Sequence, residues 1–367
     1  MPWSQLLSIA AMLALAFTSF AAHADAGITG VTAPVTHDNL AVYFVRGTSA
    51  PGPVPLTLQE AISSGAVTVH ETGDVNELVI ENTGSEEVFV QAGDIVKGGR
   101  QDRVLAVSLS VPAKSGKVPI GAYCVEHGRW SARGKEDAHR FASADKALPS
   151  REAKLALLNP EQPRPAGTAN AEPRRQSAER TRTPEQRQLG SFPMQSRQEE
   201  VWAHVRKIQS GLSASLNERV TSEVSASSLQ LSLENEKVAS AKAAYLDALL
   251  EKGAGEPDIV GVVVAINGRV SSADVYPSNG LFRKMWPKLL EAAAVEAIGS
   301  KNAPSSPAPE ADAVRGFIAT AEAARPATSP ADPQLRVRRT VRDSDKSLLI
   351  EAERSDGTLI HRAYVAK

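Results

Sequence analysis

The chain has 367 residues, 42% of them apolar and 23% charged, with a formal net charge of −1. That length allows a substantial core and about two domains, and the composition is that of a globular protein rather than a disordered or fibrous one. A net charge so near zero gives no global field for nucleic acid or a membrane surface, so no nucleic-acid partner is expected.

Residues 1–24 read as a secretory signal. Leu6 to Ala22 is apolar and uncharged and ends in Ala22-His23-Ala24, a small-x-small cleavage site, which places the mature start near Asp25. The expected location is periplasmic or secreted. No Lys or Arg precedes the apolar run, so an uncleaved anchor is the competing reading. No later stretch approaches the ~18–20 apolar residues that span a bilayer. Cys124 is the only cysteine, which rules out an intramolecular disulfide and a cysteine-rich zinc site.

The β-rich part of the domain is expected over 25–158. Gly27 to Asn39 reads as a short strand and turn, and Leu40 to Arg46 (LAVYFVR) as a buried strand. Gly47 to Pro55 is a loop. Thr57 to Ser64 is a short helix: Thr57 caps it, Glu60 completes a capping box and Gly65 stops it. Strands follow at Val67–Glu71, Asn76–Glu81, Glu87–Gln91, Gln101–Val111 and Val118–Glu126. Short strands about ten residues apart, divided by turn residues, point to an antiparallel sandwich or barrel. Ser131 to Leu158 reads as polar and helical.

Residues 159–198 carry six prolines and seven Arg against four Glu, with almost no aliphatics. Such a segment cannot bury enough surface to offset its ordering entropy, so a disordered insertion is expected. Residues 199–299 are expected to add helices and a β-hairpin to the same domain. Glu199–Leu216 places Val201, Val205, Ile208 and Leu212 on one helical face. Leu229–Lys252 reads as a second helix, and Ile259–Ile266 and Arg269–Tyr276 as strands around an Asn267-Gly268 turn. Asn279 begins a long helix stopped by Gly299, in which Pro287 implies a kink or break. Residues 300–334 read as a linker with a short helix, and 335–367 as three strands. The fold class is α+β: a β-rich antiparallel sandwich or barrel-like N-terminal part and an α/β C-terminal part.

The chemistry-bearing residues gather between Gly93 and Trp130. Lys97, Gly98, Gly99, Arg100, Asp102 and Arg103 join two strands; glycines let backbone N–H groups approach an anion, and Lys and Arg supply charge and fork-shaped donors. The competing reading is a solvated hairpin with Asp102 paired to an arginine. Arg129 and Trp130 could add stacking and charge. Cys124, Glu126 and His127 are the candidate catalytic residues, since a thiolate beside His127 and Arg129 would be activated. Strand alternation sends Cys124 and His127 to opposite faces, and a lone cysteine is more often a small core residue. The histidines show no metal-ligand spacing, although His70, Glu71, Glu126 and His127 could converge on neighbouring strands. No P-loop, Rossmann or nucleophile-elbow motif is present, so no cofactor and no metal are assigned.

The stretches Gly93–Arg103 and Tyr123–Trp130, with IVGVVVAINGRVSSADVYPSNGLFRKMWPKLL (Ile259 to Leu290), resemble the ARG-and-rhodanese-phosphatase-superfamily-associated protein domain, where ARG stands for ADP-ribosylglycohydrolase. The resemblance covers most of Gly27 to Ala366. It implies a shared domain and a link to ADP-ribose or nucleotide metabolism, and it assigns no catalytic residue. The leading expectation is an exported binding module for a small anionic ligand, nucleotide- or sugar-derived. The alternatives are a hydrolase using Cys124 and His127, and an envelope scaffold that binds a protein partner.

Overall fold

A computed structural model of the chain describes residues 27–158, 192–253, 255–329 and 336–367, with 192–196 described by backbone alone. The expected signal and residues 159–191 of the expected insertion lie outside these. The first half runs β1 (Ile28–Val31), β2 (Val35–His37), β3 (Leu40–Gly47), β4 (Leu56–Thr57), α1 (Leu58–Ser63), β5 (Val67–Glu71), β6 (Glu77–Asn82), β7 (Val88–Val90), β8 (Asp94–Gly98), β9 (Arg103–Leu105), β10 (Leu109–Val111), β11 (Gly116–Cys124), β12 (Phe141–Ala147) and α2 (Arg151–Leu158). The second half runs α3 (Phe192–Leu216), α4 (Leu229–Leu233), α5 (Glu236–Leu249), β13 (Ile259–Ile266), β14 (Arg269–Val275), α6 (Asn279–Gly299), α7 (Ala311–Ala323), β15 (Pro326–Thr328), β16 (Val337–Asp343), β17 (Ser347–Arg354) and β18 (Leu359–Ala366). The fold is α+β with antiparallel, β-rich sheets.

One nine-stranded sheet joins the two ends of the chain, in the order β1-β3-β13-β14-β18-β17-β16-β15, with β2 also on β3. Leu40–Val45 of β3 and all of β13 are apolar because both faces are covered. Alternate residues split between two cores: Leu40, Val42 and Phe44 pack into the large core, whereas Ala41, Tyr43 and Val45 meet Val314 and Ile318 of α7. The β13–β14 turn places Asn267 and Gly268 at φ of 52° and 77°, the left-handed pair a two-residue hairpin requires.

A six-stranded sheet has the order β12-β8-β9-β11-β6-β5. An isolated antiparallel bridge between His70 and Arg140, with Glu71 N donating to His139 O at 2.9 Å, brings its outer strands together. The sheet thus curls into a barrel-like shape. The ends of β5, β8 and β11 and the starts of β9 and β12 all lie at one mouth, and the mouth gathers the central stretch of the sequence. Three short strands, β10-β7-β4, bridge the barrel and the large sheet.

Several boundaries differ from the sequence expectation. Gln101–Val111 is two strands in two sheets: β9 pairs with β8 and β11, and β10 leaves to pair with β7. The polar segment after Ser131 contains β12, an edge strand with two register irregularities whose alternation is too weak to show in the sequence. Leu229–Lys252 is broken by Asn235, whose side chain caps α5 by accepting from Lys237 N. The helix α3 starts at Phe192, inside the segment expected to be disordered. The helix α6 passes through Pro287 without interruption.

Candidate functional site

The mouth of the barrel is closed by a buried ionic network. Glu71, at the end of β5, accepts from Arg103 Nη2 and from Arg100 N, both at 3.3 Å, and Arg103 is fully buried. Asp102 is 0% exposed and accepts from Arg133 Nη1 and Nη2 at 2.9 and 3.1 Å, from Ser228 Oγ at 2.7 Å and from Gly98 N at 3.0 Å. Glu126, also 0% exposed, accepts from Asp102 N at 3.1 Å and Arg129 Nε at 2.8 Å and from Ser225 Oγ. Three guanidinium groups (Arg103, Arg129, Arg133) thus pair with four carboxylates (Glu71, Asp102, Glu126, Glu136), and Arg100 joins them through its backbone N–H alone. The cluster is close to neutral, and its bidentate pairs fix the loop in one conformation.

The electrostatics follow from this geometry. Burial alone would push the Glu126 carboxyl up, but hydrogen bonds from Arg129, Ser225 and the Asp102 backbone hold it below the ordinary carboxylate range. Burial would likewise lower the basicity of Arg133, yet the Asp102 carboxylate outweighs it and Arg133 is raised. Both groups stay charged throughout the physiological range.

Each residue singled out in the sequence has a definite place. Gly98 and Gly99 have φ of 119° and 58°, and a Cβ on Gly99 would lie 2.6 Å from the Phe141 ring. The Gly98 N–H is taken by Asp102 and the Gly99 N–H by Arg140 O at 3.1 Å. The carboxylate on the Gly98 N–H is therefore the chain's own Asp102. Lys97 pairs with Glu234 at 2.7 Å. Arg129 is engaged by Glu126 and by the carbonyls of Gly98, Gly99 and Ser131. Arg100 differs from all of these. Its guanidinium is half-buried, makes no side-chain hydrogen bond or ion pair among the described residues, and lies 5.4 Å from the centroid of the half-buried Trp130 ring. Arg103 Cζ lies at 5.4 Å from the same ring.

The candidate catalytic residues separate. Cys124 is fully buried, packs with Val75, Trp130 and Trp202, and its thiol lies 3.0 Å from Gln101 Oε1. Gln198 of α3 clamps the Cys124 backbone, accepting from its N–H at 2.7 Å and donating to its carbonyl at 2.9 Å. His127 is exposed, with its ring edge-on to Trp202 at 4.4 Å. A thiol so enclosed should be inert to an aqueous disulfide reagent in the folded protein and react at once in denaturant. Measuring Cys124 labelling with and without guanidinium checks this, and fast labelling of the folded chain would revive the hydrolase alternative. Among the described residues no group of three or more His, Cys, Asp and Glu is placed to hold a metal, and His70 instead contacts Glu81 at 2.9 Å.

Sequence reasoning missed Arg133, Ser225, Ser228 and Gln198. Arg133 lies in the loop just past Trp130, Ser225 in a later loop, Ser228 at the N-cap of α4 and Gln198 in α3, with no spacing that ties them to Asp102 or Cys124. The gathering of charged residues in the central stretch was the only available signal.

Among the described residues no helix is long and apolar enough to cross a membrane. A family model for the ARG and Rhodanese-Phosphatase-superfamily-associated Protein domain matches residues 29–365. Nothing among the curated proteins or the solved structures matches.

Proposed function

The chain belongs to the ARG and Rhodanese-Phosphatase-superfamily-associated Protein domain family, and we propose that it is an exported binding module for a small anionic ligand docking at Arg100 and Trp130. The observation that carries this reading is the contrast at the barrel mouth. The other three arginines of the network are committed to carboxylates, whereas Arg100 has no acid of its own among the described residues and lies over an indole, its Cζ 5.4 Å from the ring centroid. A guanidinium held this way presents a planar fork to a phosphate or carboxylate and loses little conformational entropy on binding. The rigid network beneath keeps the platform in place. A phosphate-bearing nucleotide derivative such as ADP-ribose fits this chemistry and the family's link by name. Export rests on the apolar run from Leu6 and the Ala22-His23-Ala24 site. The enclosure of Cys124 gives the hydrolase alternative less support, and most of residues 159–198, on which the envelope-scaffold alternative rests, lies outside the described residues.

The test is thermal unfolding of the purified protein against ADP-ribose, nucleotides, acidic sugars and inorganic phosphate. A ligand at ~100 times its dissociation constant adds roughly 2.7 kcal/mol to stability. The expected result is a shift of a few degrees with one anionic compound, lost in Arg100→Ala, while the Tm of that variant without ligand matches the parent. A shift that persists in Arg100→Ala, or a variant that unfolds, overturns the placement of the site. No shift with any compound overturns the binding reading itself.

A further inference from the structure

A second basic site lies where the large sheet meets the barrel. A cavity of about 20 Å³ is lined by Ser108, Arg339 and His361 and otherwise by apolar side chains such as Ala92, Ile350 and Ala363. That volume holds roughly one water-sized body. Arg339 donates through Nη2 to Leu158 O at 2.8 Å, but its Nε is buried with no acceptor among the described residues. His361 is 2% exposed. Ala92 N donates to Ser108 Oγ at 3.0 Å, and Ser108 Oγ in turn meets His361 Nδ1 at 3.0 Å. With the hydroxyl donating to Nδ1, the ring hydrogen sits on Nε2. Nε2 faces the buried Asp274 carboxylate, 3.2 Å from its Oδ1, a contact that helps hold the Asp274 carboxyl below its ordinary range, so the unmatched donor in this wall is Arg339 Nε.

No carboxylate lines this cavity, although a guanidinium does. Burial lowers the basicity of Arg339, and the like charge of Arg197 lowers it further. Arg339 is half-buried, but a donor sealed from water as its Nε is calls for an acceptor and a cation beside it for a counter-charge, because an unmatched buried donor costs a few kcal/mol. A water supplies only the acceptor; an anion supplies both. The space excludes a phosphate ester or a sugar.

We propose that this cavity binds a halide-sized monoanion, with Arg339 as its countercharge and His361 and Ser108 in its wall. The site is independent of the Arg100 platform, and its loss leaves binding there unchanged.

The experiment is thermal unfolding of the purified protein in sodium gluconate, with gluconate replaced stepwise by chloride, by bromide or by sulfate at constant ionic strength. The expected result is a Tm that rises by a few degrees with chloride and bromide but not with sulfate, and that no longer responds in Arg339→Gln. Equal curves in gluconate and chloride overturn the proposal, as does a halide response that survives in Arg339→Gln. Should that variant fail to fold, anomalous diffraction from crystals of the parent protein soaked in bromide decides the matter. A bromide peak beside Arg339 supports the site. A water in the cavity and bromide only at the surface overturn it.

Discussion

Asp102→Ala should lower the stability of the whole chain by about 3–5 kcal/mol, the largest single-residue effect at the barrel mouth. The substitution removes four acceptor contacts at once and leaves the Arg133 guanidinium buried without its bidentate partner. An orphaned buried charge is worse than a buried pair, so the expected loss exceeds that of any surface ion pair. In a chain of this size it appears as a Tm drop of roughly 5–10 °C. Asp102→Asn keeps the shape and part of the hydrogen bonding and should fall between the two. Acid titration reads the same network through Glu126. Its folded carboxyl lies below the ordinary range, so its contribution is complete at neutral pH and is lost as the pH falls through the acidic range. Glu126→Gln, which removes the titrating group, should therefore flatten the acid limb of the stability profile, whereas Asp102→Ala leaves all three Glu126 donors in place. A variant within 1 kcal/mol of the parent would mean that the network is wetter than its geometry indicates, and the platform argument for Arg100 would lose its rigid base.

The legible parts of the fold were those written in local periodicity. The run LAVYFVR, the hairpin around Asn267-Gly268, the Thr57–Glu60 capping box and the α6 boundaries carry their signal within a few residues, and each forms as read. The break of Gln101–Val111 was hidden because both pieces satisfy the same alternation; only their partners differ, β11 for one and β7 for the other. The site was legible by address and hidden in content. Composition placed charge, glycine and the lone cysteine in one stretch. Nothing local could show that the carboxylate held by the Gly98 N–H is Asp102 itself, or that Arg133, Ser225 and Ser228 complete the network. Those partners meet through sheet closure and helix docking. Arg100 is distinguished from Arg103 by three residues of chain and by burial alone, which a sequence does not display.

Gly261→Ala tests how far the two halves act as one cooperative unit. Gly261 lies in β13, between Val45 of β3 on one side and Val275 of β14 on the other. A Cβ there would sit 2.4 Å from Asp274 O and 3.0 Å from Val275 Cα, which are backbone atoms of a paired central strand. No rotamer change relieves such a contact, so the strands must part, at roughly 3 kcal/mol, the upper end of overpacking. The control is Gly30→Ala in edge strand β1, where an added Cβ meets nothing within 4 Å; it should stay within about 0.5 kcal/mol of the parent. The informative readout is the shape of the transition. The short strands β10-β7-β4 and the buried pair Gln91–Tyr276 tie the barrel to the large sheet. If these ties are strong enough, Trp130 and Trp202 at the barrel mouth should report the same lowered midpoint as far-UV dichroism of the whole chain. A barrel that keeps its parental midpoint while the large sheet melts early would separate the two. The Arg100 platform would then stand on a unit that folds without the strands donated by the two chain ends.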